Sequence, residues 1–114
     1  MDGVTLMSER QRLVADLFKA INTLPVQGVQ AAQAEQEYKI ALSKRTLELK
    51  QCGYPVTVIQ DITRGDKEVA GLRFARDVER ESTKALYERI NALKFQLRII
   101  QDDIKLEWQR SDMR

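Results

Sequence analysis

Basic side chains at helical spacing are the residues of this sequence best suited to binding chemistry. Such a row can follow the phosphates of a nucleic acid, and a nearby aromatic ring can stack on a base. The row lies at steps of three and four residues, which places it on one side of a helix: Arg73, Arg76, Arg80 and Lys84. With the neighbouring connection, it defines a candidate interaction tip: Tyr54, Arg64, Lys67, Arg73, Arg76 and Arg80.

Carboxylates in the same region limit what this tip can bind. They nearly neutralise the basic residues: Glu48, Asp61, Asp66, Glu68, Asp77, Glu79 and Glu81. Three interpretations stay open, namely ion pairing within solvated helices, a protein-docking surface and a nucleic-acid site. The spacing of Asp77 from Arg73 and Arg80 suits pairing within one helix, so we favour the first.

The residue types argue against an enzyme. There is no His, and the one thiol, Cys52, cannot build a zinc site of Cys ligands. No Gly-rich phosphate loop is present. Carboxylates near the C-terminus could in principle hold a metal, but a solvated face with basic partners explains them better: Asp102, Asp103 and Glu107 with Arg98, Lys105 and Arg110. We therefore expect no catalytic residue, metal or cofactor.

Composition indicates a single soluble domain of 114 residues. The 19 basic and 17 acidic residues give a net charge of +2, which is too balanced for a nucleic-acid coat or an acidic DNA mimic. No basic segment followed by an apolar one begins the chain, and no run of eighteen apolar residues occurs. A cytoplasmic protein that does not enter the membrane is therefore the prediction.

One long helix, residues 66–110, must position the basic row. Its apolar residues recur at steps of four and three and form a seam on one face: Leu86, Ile90, Leu93, Leu97, Ile100, Ile104 and Trp108. No small globule needs a helix of this length, so another helix must cover the seam. Near the tip, Arg76 and Glu79 of this helix occupy seam positions, and so does Arg45 of the preceding helical segment. Their long stems either cover the seam while the charged heads reach water, or they fix the register of the pair.

The first arm offers that covering helix. Ser8 and Gln11 have capping-box spacing, which predicts a helix over 8–24 after an unpatterned segment 1–7. A second helical segment, 29–52, has its own seam, so Pro25 either kinks one long helix or splits it in two. Pairing the arms around the connection places Tyr38 near Arg80.

The connection, residues 53–65, predicts one short helical turn between two caps. Gly53 suits a left-handed C-cap, and Thr57 with Gln60 has capping-box spacing. Val58, Ile59 and Ile62 should cover the end of the hairpin. Asp66 should cap the long helix.

A second apolar stripe on the long helix predicts a further neighbour: Ala92, Phe95, Ile99 and Leu106. A separate first helix could cover it and make a three-helix bundle. A continuous arm would leave it to another copy, and a dimer is favoured because a lone hairpin has little core. The prediction is an all-α fold, one helical domain over 1–114, built as a long antiparallel hairpin that assembles into a dimeric bundle. Cys52 is expected to be buried, and Trp108 to lie in the core or a dimer contact.

Two runs carry a resemblance to a protein group. They are Gly53-Tyr54-Pro55-Val56-Thr57 and the stretch from Arg64 to Asp77, which reads RGDKEVAGLRFARD. Residues 38–108 resemble small, uncharacterised helical proteins of bacteriophages and prophages of Gram-positive bacteria. The resemblance implies a phage accessory protein in the host cytoplasm, and no catalytic residue is carried over.

These observations give two functional hypotheses. The first is a non-enzymatic accessory protein that self-associates and docks on a host or phage protein. The alternative is a nucleic-acid-binding accessory of phage replication or recombination that uses the basic tip. The two differ in whether the arginines of the tip remain available to phosphate.

Overall fold

The computed structural model describes residues 2–113 and confirms an all-α protein. Three helices follow in chain order: α1 (Gly3–Gln51), α2 (Val56–Gly65) and α3 (Lys67–Asp112). None of the described helices combines the length and apolar character needed to cross a bilayer. The contacts divide the chain into two compact units, residues up to 24 together with 84 onward (unit 1) and Pro25–Thr83 (unit 2).

α1 corrects the predicted cap at Ser8 and decides the alternative left open at Pro25, because it is one helix from Gly3 to Gln51. Asp2, not Ser8, caps it: the backbone N–H of Thr5 donates to Asp2 Oδ1 at 2.8 Å, and this bond lowers the pKa of Asp2. The predicted helices 8–24 and 29–52 are parts of the same helix, with Pro25 exposed inside it. The apolar seam continues on both sides of Pro25, so packing outweighs the lost backbone hydrogen bond.

α1 ends as the sequence predicts, in a left-handed glycine cap. Gly53 has φ of 87°, which L side chains rarely adopt. Its N–H donates to the carbonyl of Lys50 at 3.0 Å, and the N–H of Tyr54 donates to the carbonyl of Leu49 at 3.3 Å. This pair of bonds is a Schellman motif, and Pro55 then prevents the helix from resuming.

The predicted helical turn in the connection is confirmed as α2. The expected cap at Thr57 is wrong, because Pro55 occupies the N-cap position without a side-chain hydrogen bond. Ile59 is buried and Ile62 is half-buried, whereas Val58 is exposed. The predicted cover over the hairpin end therefore uses Ile59 and Ile62.

Asp66 caps α3 as predicted, and its removal should be measurable. Its Oδ1 accepts from the backbone N–H of Val69 at 3.1 Å, while its Oδ2 lies 3.2 Å from Arg45 Nε. We expect Asp66→Ala to lower the free energy of unfolding by about 1 kcal/mol in a urea titration. Asp66→Asn keeps an acceptor for the cap and should lose less. Equal losses in the two variants would mean that the cap contributes nothing.

Unit 1 is a two-helix pair in which α1 and α3 run antiparallel. Its buried residues alternate along both seams: Leu6, Leu13, Ala20, Ile90, Leu93 and Ile100. Half-buried neighbours complete the row: Leu17, Leu24, Leu86, Leu97 and Ile104. The predicted seam of the long helix is thus confirmed up to Ile104. Trp108 is not part of the core, since its side chain is 67% exposed.

Unit 2 adds α2 to the antiparallel pair, and its register differs from the prediction. Arg76 and Arg73, not Arg80, lie over the ring of Tyr38, at 4.4 and 5.7 Å from its centroid. Arg45 lies opposite Asp66 at the start of α3. The last turns of α1 therefore extend past the start of α3, which leaves Leu49 buried in the same unit as Ile59 of α2 and Val69. The sequence estimate omitted this extension.

Candidate interaction surfaces

An ion cluster in unit 2 occupies the polar part of the seam. We call it the Glu35 cluster: Glu35, Tyr38, Arg73, Arg76 and Arg80. Glu35 Oε2 lies 3.1 Å from Arg80 Nη2 and 3.7 Å from Arg76 Nε, so one carboxylate of α1 serves two arginines of α3. Arg76 also donates to Asp77, and this hydrogen bond raises the pKa of Arg76 above its ordinary value.

The head of Arg76 is largely shielded from water, contrary to the alternative in which the charged heads of the seam residues reach solvent. Its side chain is only 16% exposed, since the guanidinium lies over Tyr38 and against Glu35. An arginine over an aromatic face gains electrostatic attraction from the ring as well as from the carboxylate. Tyr38 was missed as a partner of this arginine because the predicted register was wrong.

Two further polar contacts continue along the pair within unit 2. Gln27 Nε2 donates to Glu79 Oε2 at 2.8 Å and to the carbonyl of the same residue at 3.1 Å. Arg45 Nη1 donates to Glu48 at 3.2 Å, while its Nε is at ion-pair distance from Asp66 but lacks hydrogen-bond geometry. Side chains of both helices thus meet at defined partners from Gln27 to Arg45.

The structure separates the six residues of the predicted tip into two groups. Arg73, Arg76 and Arg80 belong to the Glu35 cluster, so much of their charge is already paired or stacked. Arg73 Nη1 also donates to the carbonyl of Arg64 at 3.2 Å. Tyr54, Arg64 and Lys67 are exposed at the connection. This division leaves few of the five cations of the tip free for phosphate.

The second apolar stripe of the long helix is exposed along its length. We call it the α3 stripe: Ala92, Phe95, Ile99 and Leu106. Phe95 is 61% exposed, and α1 does not cover it because α1 continues through Pro25 instead of folding back. On an ideal helix the stripe lies roughly 150° from the seam. It therefore faces away from α1 in unit 1.

A matching stripe on α1 was not recognised in the sequence. We call it the α1 stripe: Val4, Met7, Val14, Phe18 and Ile21. With Gln11, its residues alternate at steps of three and four, one position along from the buried seam. Phe18 is 62% exposed. The sequence contains this stripe as a second heptad pattern. Val4 and Met7 were missed because residues 1–7 were interpreted as having no pattern.

The α1 stripe opens into a groove of ≈ 820 Å³ at the end of unit 1. Val4, Met7 and Gln11 line it from α1, and Trp108, Ser111 and Asp112 line it from α3. Trp108 is 67% exposed there because Glu107, one residue earlier, is the side chain that lies next to Gly3 of α1. Cys52 is also exposed, contrary to the sequence prediction, because it lies in the turn that ends α1.

Neither a metal centre nor a relationship to known proteins defines this surface. Among residues 2–113, no group of three or more carboxylate or thiol side chains is arranged to hold a metal ion. Comparisons with protein-family models, with curated proteins and with solved structures give no match. The function therefore has to be argued from the exposed stripes and their charges.

Proposed function

We propose that this chain is a non-enzymatic accessory protein of bacteriophage type that acts in the host cytoplasm through protein–protein contacts. It self-associates through the α3 stripe, with a dimer as the smallest assembly. The assembled form then docks on a host or phage protein. The phage context comes from the resemblance in the connection and in the first turns of α3.

The exposed α3 stripe is the observation that supports self-association. Scattered exposed apolar residues are ordinary, but an aligned row with an exposed Phe is typical of a helix with two packing neighbours. Here α1 occupies one side of α3 and the stripe occupies another. A neighbour on that side would remove Phe95, Ile99 and Leu106 from water.

The alternative, nucleic-acid binding at the basic tip, has weaker support. Arg76 is largely buried against Glu35 and Tyr38, and Arg80 shares the same carboxylate. Phosphate contact would have to compete with these partners. The exposed Arg64 and Lys67 remain, but two cations give only a weak, salt-sensitive interaction.

Phe95→Asp should disrupt self-association if this proposal is correct. We expect the wild-type chain to form a species larger than 13.2 kDa in light scattering at micromolar concentration. A charge in the apolar contact should weaken association by about tenfold or more. Ile40→Asp is the matched control, because Ile40 is 59% exposed on α1 of unit 2. A wild-type chain that stays monomeric, or a Phe95→Asp variant that associates normally, would refute the proposal.

A further inference from the structure

A basic face lies beside the α1 stripe in unit 1. Trp108 shares the groove with Val4 and Met7, which fixes the side of α3 that borders the stripe. Trp108 belongs to a row of α3 whose residues alternate at steps of four and three: Lys94, Arg98, Gln101, Lys105, Trp108 and Asp112. The basic members of this row therefore lie on the same side of α3 as Trp108. We call the α1 stripe together with Lys94, Arg98 and Lys105 the basic face.

In the described residues, the cations in the middle of the basic face have no carboxylate partner on α1, and Asp102 of α3 is not paired with them. Glu9 and Asp16 lie on another side of α1, where both pair with Arg12. The carboxylates that line the groove come from the residue before α1 and from the last turns of α3: Asp2, Glu107 and Asp112. Within the described residues, no ion pair involves Lys94, Arg98 or Lys105.

The α3 stripe has the opposite charge. Its heptad row from 85 to 106 contains two carboxylates and no basic residue: Ala85, Glu88, Ala92, Phe95, Ile99, Asp102 and Leu106. In the described part of the chain, neither Glu88 nor Asp102 takes part in an ion pair. One surface of unit 1 is thus apolar and acidic, while another is apolar and basic.

From this complementarity we infer that the α3 stripe of one copy docks on the basic face of a second copy. Two α3 stripes placed against each other would bring Glu88 and Asp102 of both copies into one apolar contact. The basic face supplies Lys94, Arg98 and Lys105 instead. This inference rests on the proposed self-association and names the surface that receives the α3 stripe.

Such a contact joins two different surfaces, so it is heterologous. Each copy keeps one free α3 stripe or one free basic face after the first contact forms. Further copies then add until the assembly closes as a ring or continues as a filament. A dimer is the first step of this assembly, not its end.

Mixing two variants separates this arrangement from a symmetric one. Phe18→Asp damages the basic face, and Phe95→Asp damages the α3 stripe. We expect each variant alone to associate at least about tenfold more weakly than the wild type, because each lacks one half of the contact. Their mixture should form a heterodimer of two chains and nothing larger, since it contains one intact surface of each kind.

Each outcome decides between the two proposals. If Phe18→Asp associates like the wild type while Phe95→Asp does not, self-association is correct and the heterologous contact with the basic face is wrong. If the mixture stays monomeric while the wild type associates, the heterologous contact is also wrong. A monomeric wild type refutes both. Ile40→Asp should leave association unchanged, and circular dichroism should show that all variants fold.

A charge exchange tests the same contact without adding a charge to an apolar row. The Lys94→Glu, Arg98→Glu double variant makes the basic face acidic, and the Glu88→Lys, Asp102→Lys double variant makes the α3 stripe basic. Each alone should lose assembly, whereas their equimolar mixture should recover species larger than a dimer. Assembly of either double variant alone at the wild-type level would overturn the inference.

Discussion

Leu13→Ala should lower the free energy of unfolding by about 2–3 kcal/mol. Leu13 is 2% exposed in the core row of unit 1, and Ala would leave a cavity there. The expected loss lies at the low end of the range for buried leucines, because a core between two helices can partly collapse. A small domain has only about 5–15 kcal/mol of stability in total, so the effect is large.

The matched control for this change is Leu47→Ala in unit 2. Leu47 is 58% exposed, so the same chemical change removes little buried surface and should stay within about 0.5 kcal/mol. Urea titrations of both variants at one protein concentration give the comparison, since self-association would make stability depend on concentration. Amide hydrogen exchange should show that Leu13→Ala accelerates opening of unit 1 first. Similar losses in the two variants would contradict the assignment of Leu13 to the core.

The sequence predicted the helices well where the local chemistry and the apolar pattern agreed. Gly53 gave the end of α1 and Asp66 the start of α3, because a left-handed cap and a carboxylate N-cap each have one simple residue signature. The seam from Leu86 to Ile104 predicted the buried side of α3. These features depend on neighbours within one or two turns, so the sequence contains them directly.

Features that depend on packing were predicted less well. The apparent cap at Ser8 yielded to a helix starting at Gly3, because Leu6 extends the buried seam. The sequence left two outcomes open at Pro25, and α1 continues through it because packing on both sides outweighs the lost backbone hydrogen bond. Trp108 was predicted as a seam residue, but Glu107 lies next to Gly3 of α1 and Trp108 is exposed one position further along. In each case the deciding contact comes from a residue distant in the chain.

The candidate surfaces show the same division. The α3 stripe was predicted as an apolar row, but only the structure shows that it is exposed and faces away from α1. The basic face could not be predicted, because its two rows come from different helices and depend on their register. The contact between Tyr38 and Arg76 was also missed, because the register predicted from the sequence differs from the observed one. Charge patterns across helices therefore need the structure, whereas patterns along one helix do not.

Arg76→Ala should lower the free energy of unfolding by about 2 kcal/mol, the second largest effect that we expect. The change removes a guanidinium that stacks on Tyr38 and leaves Glu35 with one fewer partner. Arg80→Ala is the matched control, because Arg80 pairs with the same carboxylate but is 58% exposed. Its loss should stay below about 1 kcal/mol, as for other solvated ion pairs. Thermal or urea unfolding of both variants, with a double-mutant cycle between positions 35 and 76, gives the comparison.

Replacing both Glu35 and Arg76 by Leu then tests whether the Glu35 cluster stabilises the fold or sets the register of α1 and α3. Hydrophobic replacement of a largely buried charge can be neutral or stabilising, provided that its partner is replaced as well. We therefore expect the Glu35→Leu, Arg76→Leu double variant to unfold at or above the wild-type urea midpoint. Without the ion pair, the heptad seams allow a slip of seven residues, since apolar positions recur at that interval. Disulfide trapping between cysteines placed at Gly3 and Glu107, where a Cβ on Gly3 would lie 4.0 Å from Glu107 Cγ, should then decrease in yield relative to the wild-type background. An unchanged yield would show that the apolar seam alone sets the register.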